Sequence, residues 1–178
     1  GVEAGKNLTT TSYNHFIGNS AGIFNMGSSN IVIGQLALQG TSTPADNTGG
    51  HNIALGCKAG TTITSGSCNI ALGICAGLKL TSGENNILLG KNIACELTTG
   101  GCNVLIGCDV GAGLTSGSRN VAIGYAVMDI CEGDAERNVA IGDAVGRRIK
   151  DIVANVYIGK NVACVGELTG DDNVAIGE

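Results

Sequence analysis

Asn103-Val104-Leu105-Ile106-Gly107, separated by twelve residues from Asn120-Val121-Ala122-Ile123-Gly124, is the stretch from which the architecture can be read. The same pentad stands at Asn69-Ile70-Ala71-Leu72-Gly73, Asn86-Ile87-Leu88-Leu89-Gly90 and Asn138-Val139-Ala140-Ile141-Gly142. Working outward, eleven glycines from Gly1 to Gly177 lie 17, 16, 22, 17, 17, 17, 17, 18, 17 and 18 residues apart, and ten of them close an Asn-x-x-[Ile/Leu]-Gly pentad. One repeat therefore covers residues 1–178 as a single array of about ten units. A separate globular domain has no room.

Each pentad has the composition of a short β-strand. The third residue after the glycine is apolar or small (Ala59, Ala76, Ile93, Val110, Val127), and a Gly or Ala usually follows it. Seven past the glycine sits Ile63, Leu80, Leu97, Leu114 or Ile149, and in the regular copies it opens a [Leu/Ile]-Thr-[Ser/Thr]-Gly run. That run reads as a second strand entering a turn. A 17-residue unit with two short strands and glycine turns is a β-solenoid rung. At about 4.8 Å per rung, ten would span roughly 48 Å. The fold class expected is thus all-β, a parallel β-roll or β-solenoid.

Alternation along the pentad places the residues one and three after Asn on one face and the middle residue on the other. The first face is bulky. The second carries Ala71, Ala122, Ala140 and Ala175, which suits close approach to another surface. Ordering the backbone of one rung costs more than three buried aliphatic side chains return, so no rung folds alone. With about four apolar positions per rung the coil is thin, and a second apolar face left bare would invite association.

The asparagines, Asn69, Asn86, Asn103, Asn120 and Asn138 among them, are expected to stack as an amide ladder that satisfies its own donors and acceptors. Gly73, Gly90, Gly107, Gly124 and Gly142 supply turn conformations or close packing. A phosphate-loop reading fails, because no GxxxxGK[ST] occurs and IGxxAG lacks the strand-to-helix context of a dinucleotide site.

Residues 52–66 (NIALGCKAGTTITSG), 69–83 (NIALGICAGLKLTSG) and 120–133 (NVAIGYAVMDICEG) resemble the NVAIGxxAG repeats of phage and large-virus tail fibres, and are similar to the shorter repeats of YadA-like trimeric autotransporter adhesin heads. The likeness spans the chain. It implies a left-handed roll, three chains about a common axis, and a rigid shaft or head that presents receptor-binding regions on a virus particle or cell surface. Rungs of 17 residues exceed the 14 to 16 usual in adhesin heads, and no membrane anchor is visible, so the fibre reading is preferred. The partners expected are two further copies of the chain, with a host-surface receptor and end-to-end self-association left open. Because the array starts on a repeat glycine and stops one residue after another, it reads as part of a longer chain or as copies that continue end to end.

Composition agrees. The formal charge is −5, there are five aromatic residues and no Trp, and the one basic cluster is Arg147-Arg148-Lys150. A nucleic-acid groove would want a basic stripe with stacking aromatics. No stretch reaches membrane-spanning length. Asp129, Glu132, Asp134, Glu136 and Arg137 read as a solvated turn rather than a cation site, and no Ca²⁺ or zinc spacing is present. No metal, cofactor or catalytic residue is expected. Cys57 and Cys108 share a column three rungs apart, and Cys68 and Cys102 another two rungs apart, beyond disulfide reach. Cys75, Cys95, Cys131 and Cys164 are scattered, so pairing across columns or chains stays open while reduced thiols are favoured.

Two features interrupt the array. The unit from Gly34 to Gly56 has five extra residues, and its segment 39–50 holds the only Pro. It reads as a protruding loop whose Thr43, Pro44, Asp46 and Asn47 are the candidate contact residues. Asn7-Leu8-Thr9 is a glycosylation sequon, relevant only in a eukaryotic secretory pathway. Two other classes compete with the fibre. Hexapeptide acyltransferases are also β-helical but need 18-residue rungs and a catalytic His, and here His15 and His51 read as surface residues. A self-assembling extracellular filament or surface protein fits the repeat as well. An ice-binding face is a poorer match, since Thr64, Thr81, Thr98 and Thr115 form a single column.

Overall fold

A computed structural model describes residues 1–8, 11–130, 134–148, 150, 152–164 and 170–178. Cys131, Glu132, Ile149 and Thr9 of the sequon lie outside them. The described residues form ten strands, one per pentad: β1 (His15–Ile17), β2 (Ile31–Ile33), β3 (Ile53–Leu55), β4 (Ile70–Leu72), β5 (Ile87–Lys91), β6 (Val104–Cys108), β7 (Val121–Tyr125), β8 (Val139–Asp143), β9 (Val156–Lys160) and β10 (Val174–Gly177). They make one parallel sheet in chain order, β1 to β10. Register is set by pentad position, so that Val121 lies opposite Val104 and Val139, and Gly124 opposite Gly107 and Gly142. The chain is a parallel β-solenoid in which nine turns of about 17 residues link the ten strands.

The second strand does not form. In the Leu-Thr-Ser/Thr-Gly runs the chain bends, and neighbouring coils are joined by bonds that converge on one carbonyl, Thr98 O accepting from Thr81 N (2.8 Å), Ser82 N (3.3 Å) and Gly83 N (3.4 Å). Only two isolated parallel bridges, Ser118–Glu136 and Glu136–Val153, appear on this side among the described residues. Left-handed backbone is the reason. Each regular coil enters it two and four residues after the pentad glycine and again just before the asparagine, as at Cys75 (φ 58°), Gly77 (φ 62°) and Asn85 (φ 58°). Turning this often leaves no run long enough to propagate a strand.

The pentad glycine answers to close approach as well as to φ. A Cβ built on Gly107 (φ 138°) would fall 1.8 Å from the carbonyl oxygen of Gly124. No side chain fits between stacked coils there. A second glycine column has the same cause without the unusual φ: a Cβ on Gly100 would lie 2.0 Å from Gly117 O.

Three inward columns build the core. They are the middle residues of the strands (Ala71, Leu88, Leu105, Ala122), the third residues after the glycine (Ala76, Ile93, Val110, Val127) and the seventh (Leu80, Leu97, Leu114), all essentially inaccessible. The close approach suited to the alanine face is therefore made within the coil, where Ala71, Ala122 and Ala140 are buried and Ala175 is partly buried. It is the bulky face of the sheet that points outward.

Candidate interaction face and the asparagine ladder

The strand geometry positions two structures, one inside and one outside. Inside, each asparagine accepts from its successor and donates back to its predecessor. Asn103 Oδ1 accepts from Asn120 N (3.0 Å) and Asn120 Nδ2 (3.1 Å), while Asn103 Nδ2 donates to Asn86 Oδ1 (3.0 Å) and Gly117 O (2.8 Å). The pattern repeats through Asn69, Asn86, Asn120 and Asn138, all fully buried. Both donors of these five amides are used within the coil, so the ladder is structural and offers no N–H to a ligand.

Two further ladders were not anticipated. Serine or aspartate two residues before the asparagine accepts from the backbone of the preceding coil: Ser67 Oγ from Gly50 N (3.2 Å), Ser118 Oγ from Gly101 N (3.1 Å) and Asp171 Oδ1 from Val153 N (2.8 Å). Serine at 12, 28, 67 and 118 was the available sequence signal. The threonine column is likewise internal, with Thr64, Thr81 and Thr98 hydroxyls donating to the carbonyls of Thr81, Thr98 and Thr115 (2.9–3.2 Å).

Outside, the two outward positions of the ten strands make two parallel columns. One runs from His15 through Ile31 to Val174, the other from Ile17 to Ile176, and nineteen of these twenty side chains are Val, Ile or Leu. Each is half-buried by its neighbours in the middle of the sheet and more open toward either end (Ile17 58%, Ile176 70%). Exposed Ile74 and Tyr125, one residue past Gly73 and Gly124, widen the strip locally. Elsewhere the surface is mixed, with exposed Ile130 and Tyr13 among charged side chains. Lys79–Glu96 (2.6 Å), Arg119–Glu136 (2.9 Å) and Arg147–Asp129 (3.1 Å) link consecutive coils there. As exposed or half-exposed pairs each adds about 1 kcal/mol or less.

The acidic run of the seventh and eighth coils is dispersed into such contacts: Asp129 meets Arg147, Glu136 meets Arg119, and Asp134 accepts from the Ser116 hydroxyl. No group of three metal-ligating side chains occurs among the described residues, and no helix is long and apolar enough to cross a membrane.

The inserted loop is pre-ordered. Asn47 is fully buried and ties the loop across its base, accepting from Thr41 N (2.9 Å) and donating to Thr41 O (2.8 Å) and Thr43 O (3.1 Å). Pro44–Asp46 form a 3-10 turn at its tip. Thr43 and Asp46 are exposed, so of the named contact residues they reach solvent while Asn47 is the clasp. His15 stands on the sheet face, whereas His51 occupies a left-handed position before Asn52.

The seven described cysteines are free. Cys95 Sγ lies 3.5 Å from Cys75 O on the preceding coil, and burial pushes its thiol up to about 11, which keeps it protonated and a poor nucleophile. The Asn92 amide donating to Asp109 (2.9 Å) holds that carboxyl below its usual value. Compared with known proteins, the chain matches no protein-family model, no curated protein and no solved structure. A parallel solenoid of 17-residue coils with a buried asparagine ladder rests on the geometry above.

Proposed function

We propose that this chain is a rigid segment of a fibre or surface shaft, in which three copies pack side by side through the outward sheet face and present receptor-binding regions elsewhere. One observation carries the reading: the solenoid bears a continuous strip of nineteen aliphatic side chains along its whole sheet. The strip measures roughly 48 by 12 Å, or about 580 Å². That is at the upper limit of what a monomer usually exposes. Counted on two partners it exceeds the about 1,000 Å² of a specific interface. A second copy fits because it presents an equally straight face with the same repeat.

The resemblance to tail-fibre repeats supports the role, the left-handed winding, the number of chains and a location on a virion fibre or at a cell surface. Thr43 and Asp46, held out by the Asn47 clasp, are the local contact candidates. Immunogold electron microscopy of the natural source tests the proposal. Gold along a fibre attached to a particle or cell is the expected result. Label on open-ended polymers would favour a self-assembling filament instead, and label on compact soluble particles would overturn both.

A further inference from the structure

Two further columns border the aliphatic strip. One residue past the pentad glycine stand Lys91, Cys108, Tyr125, Asp143 and Lys160, the last outward positions of β5 to β9 and in register with one another. One residue before the pentad asparagine, where left-handed backbone turns the chain into the strand, stand Asn85, Cys102, Arg119, Arg137 and Ala154 (φ 56–61°). All but Cys108 and Ala154 are exposed. Within one copy the two columns lie six residues of extended chain apart, about 20 Å, so they meet only across copies.

Copies packed side by side about an axis parallel to their coils present opposite edges to each other, the entry edge of one sheet face meeting the exit edge of the next. Closure of such a ring leaves no net slip, so equal coils stand level. Three faces about 20 Å wide stand about 6 Å from their common axis, a depth that Ile and Val side chains fill. Level by level, the two columns complement each other over four consecutive coils. Asn85 meets Lys91, an amide oxygen for an ammonium, and Cys102 meets Cys108. Arg119, held by Glu136 (2.9 Å), offers its guanidinium to the Tyr125 ring. Arg137 meets Asp143, and among the described residues neither side chain has an ion-pair or hydrogen-bond partner in its own chain. Asp172 opposite Glu178 is the one like-charged level. A slip of one coil breaks both central pairs: one direction sets Arg137 against Lys160, the other sets Cys102 against Lys91 and Cys68 against Cys57.

We infer that these edge columns form the seam between copies, with Arg137 and Asp143 as its ion pair and Cys102 facing Cys108 as a thiol pair. This rests on the side-by-side packing proposed above, and the test separates the two. Sedimentation velocity first establishes the wild-type multimer. Copper–phenanthroline oxidation in air then joins facing thiols: the two sulfurs bond, and their two protons and two electrons pass to dioxygen, giving hydrogen peroxide. Non-reducing electrophoresis is expected to show linked chains ending at three, with the Cys102 and Cys108 peptides joined in the mass spectrum and that linkage lost in Cys102→Ser. Arg137→Asp should raise the chain concentration of half-dissociation about tenfold, and adding Asp143→Arg should recover most of the loss. A wild-type multimer that links Cys57 to Cys68 instead, that yields no Cys102–Cys108 bond, or that Arg137→Asp leaves equally tight overturns the seam alone. A monomeric wild type overturns the packing and the seam together.

Discussion

The coils between Gly56 and Gly124 and those between Gly18 and Gly56 are built from the same pentad and differ in how their ladders close. In the regular coils each asparagine receives both the backbone N–H and the side-chain amide of its successor, as Asn69 does from Asn86 (both 3.0 Å). In the irregular ones Asn30 still gives its backbone N–H to Asn14 Oδ1 (2.8 Å), but its side chain turns to Asn25 Oδ1 (3.2 Å) and Gly49 O (3.2 Å). Asn25 Nδ2 is left buried without a partner. Asn52 likewise keeps its backbone bond to Asn30 Oδ1 (2.8 Å), across the five-residue insertion. The backbone-to-side-chain bond is thus the invariant, and the amide-to-amide bond is what irregular coils give up. Insertions are absorbed on the turn side because that side holds bonds converging on a few carbonyls rather than a strand ladder.

The hardest test of this contrast is the glycine column. Gly107→Ala drives a Cβ into Gly124 O at 1.8 Å, and a loss of more than about 3 kcal/mol is expected in urea unfolding followed by circular dichroism. At Gly170 the nearest atom to an added Cβ is Asn173 Nδ2 at 3.3 Å, and Gly170→Ala should change stability by about 0.5 kcal/mol or less. Equal effects at the two sites would break the argument from close approach.

Next in size is the ladder. Asn103→Ala strands the buried Asn120 N, one of the two N–H groups of Asn120 Nδ2, and Gly117 O, at about 2–4 kcal/mol. Asn173 is exposed, and Asn173→Ala should cost about 1 kcal/mol or less by the same measurement. Smaller again is the loop clasp. Asn47→Ala should open residues 41–46 to limited proteolysis while hydrogen exchange of β5 to β8 stays as in the wild type, because the loop stands off the sheet.

The smallest effect reverses sign. Ala94 adopts φ 51°, where Gly60, Gly77, Gly111 and Gly146 stand in other coils, so Ala94→Gly should raise the urea midpoint by an amount worth about 0.5 kcal/mol.

Much of this fold was legible because its rules are local and repeated. Glycine spacing gave coil length, and the stacked pentads gave the parallel sheet and the ladder. What was not legible depends on direction and on φ. Alternation separated Ala122 from Val121 and Ile123 without saying which side was the inside, and volume does not decide it, since Leu105 and Tyr157 occupy the same buried position as Ala122 and Ala140. The Leu-Thr-Ser-Gly runs carry strand-like residues, yet left-handed positions at Cys68, Asn85 and Cys102 override them. Nothing about Asn47 by itself separated a contact residue from a clasp. Its hydrogen bonds did.

The central claim is that the outward aliphatic face is covered by further copies of the same chain. Sedimentation equilibrium of the wild type beside Ile106→Lys/Ile123→Lys tests it most directly, since both side chains lie mid-strip and point out of the coil. A wild-type mass three times the 17.7 kDa of the chain is expected, and a folded monomer for the double variant. A wild type that remains at 17.7 kDa at several hundred micromolar, or a double variant that still forms the same multimer, would contradict it.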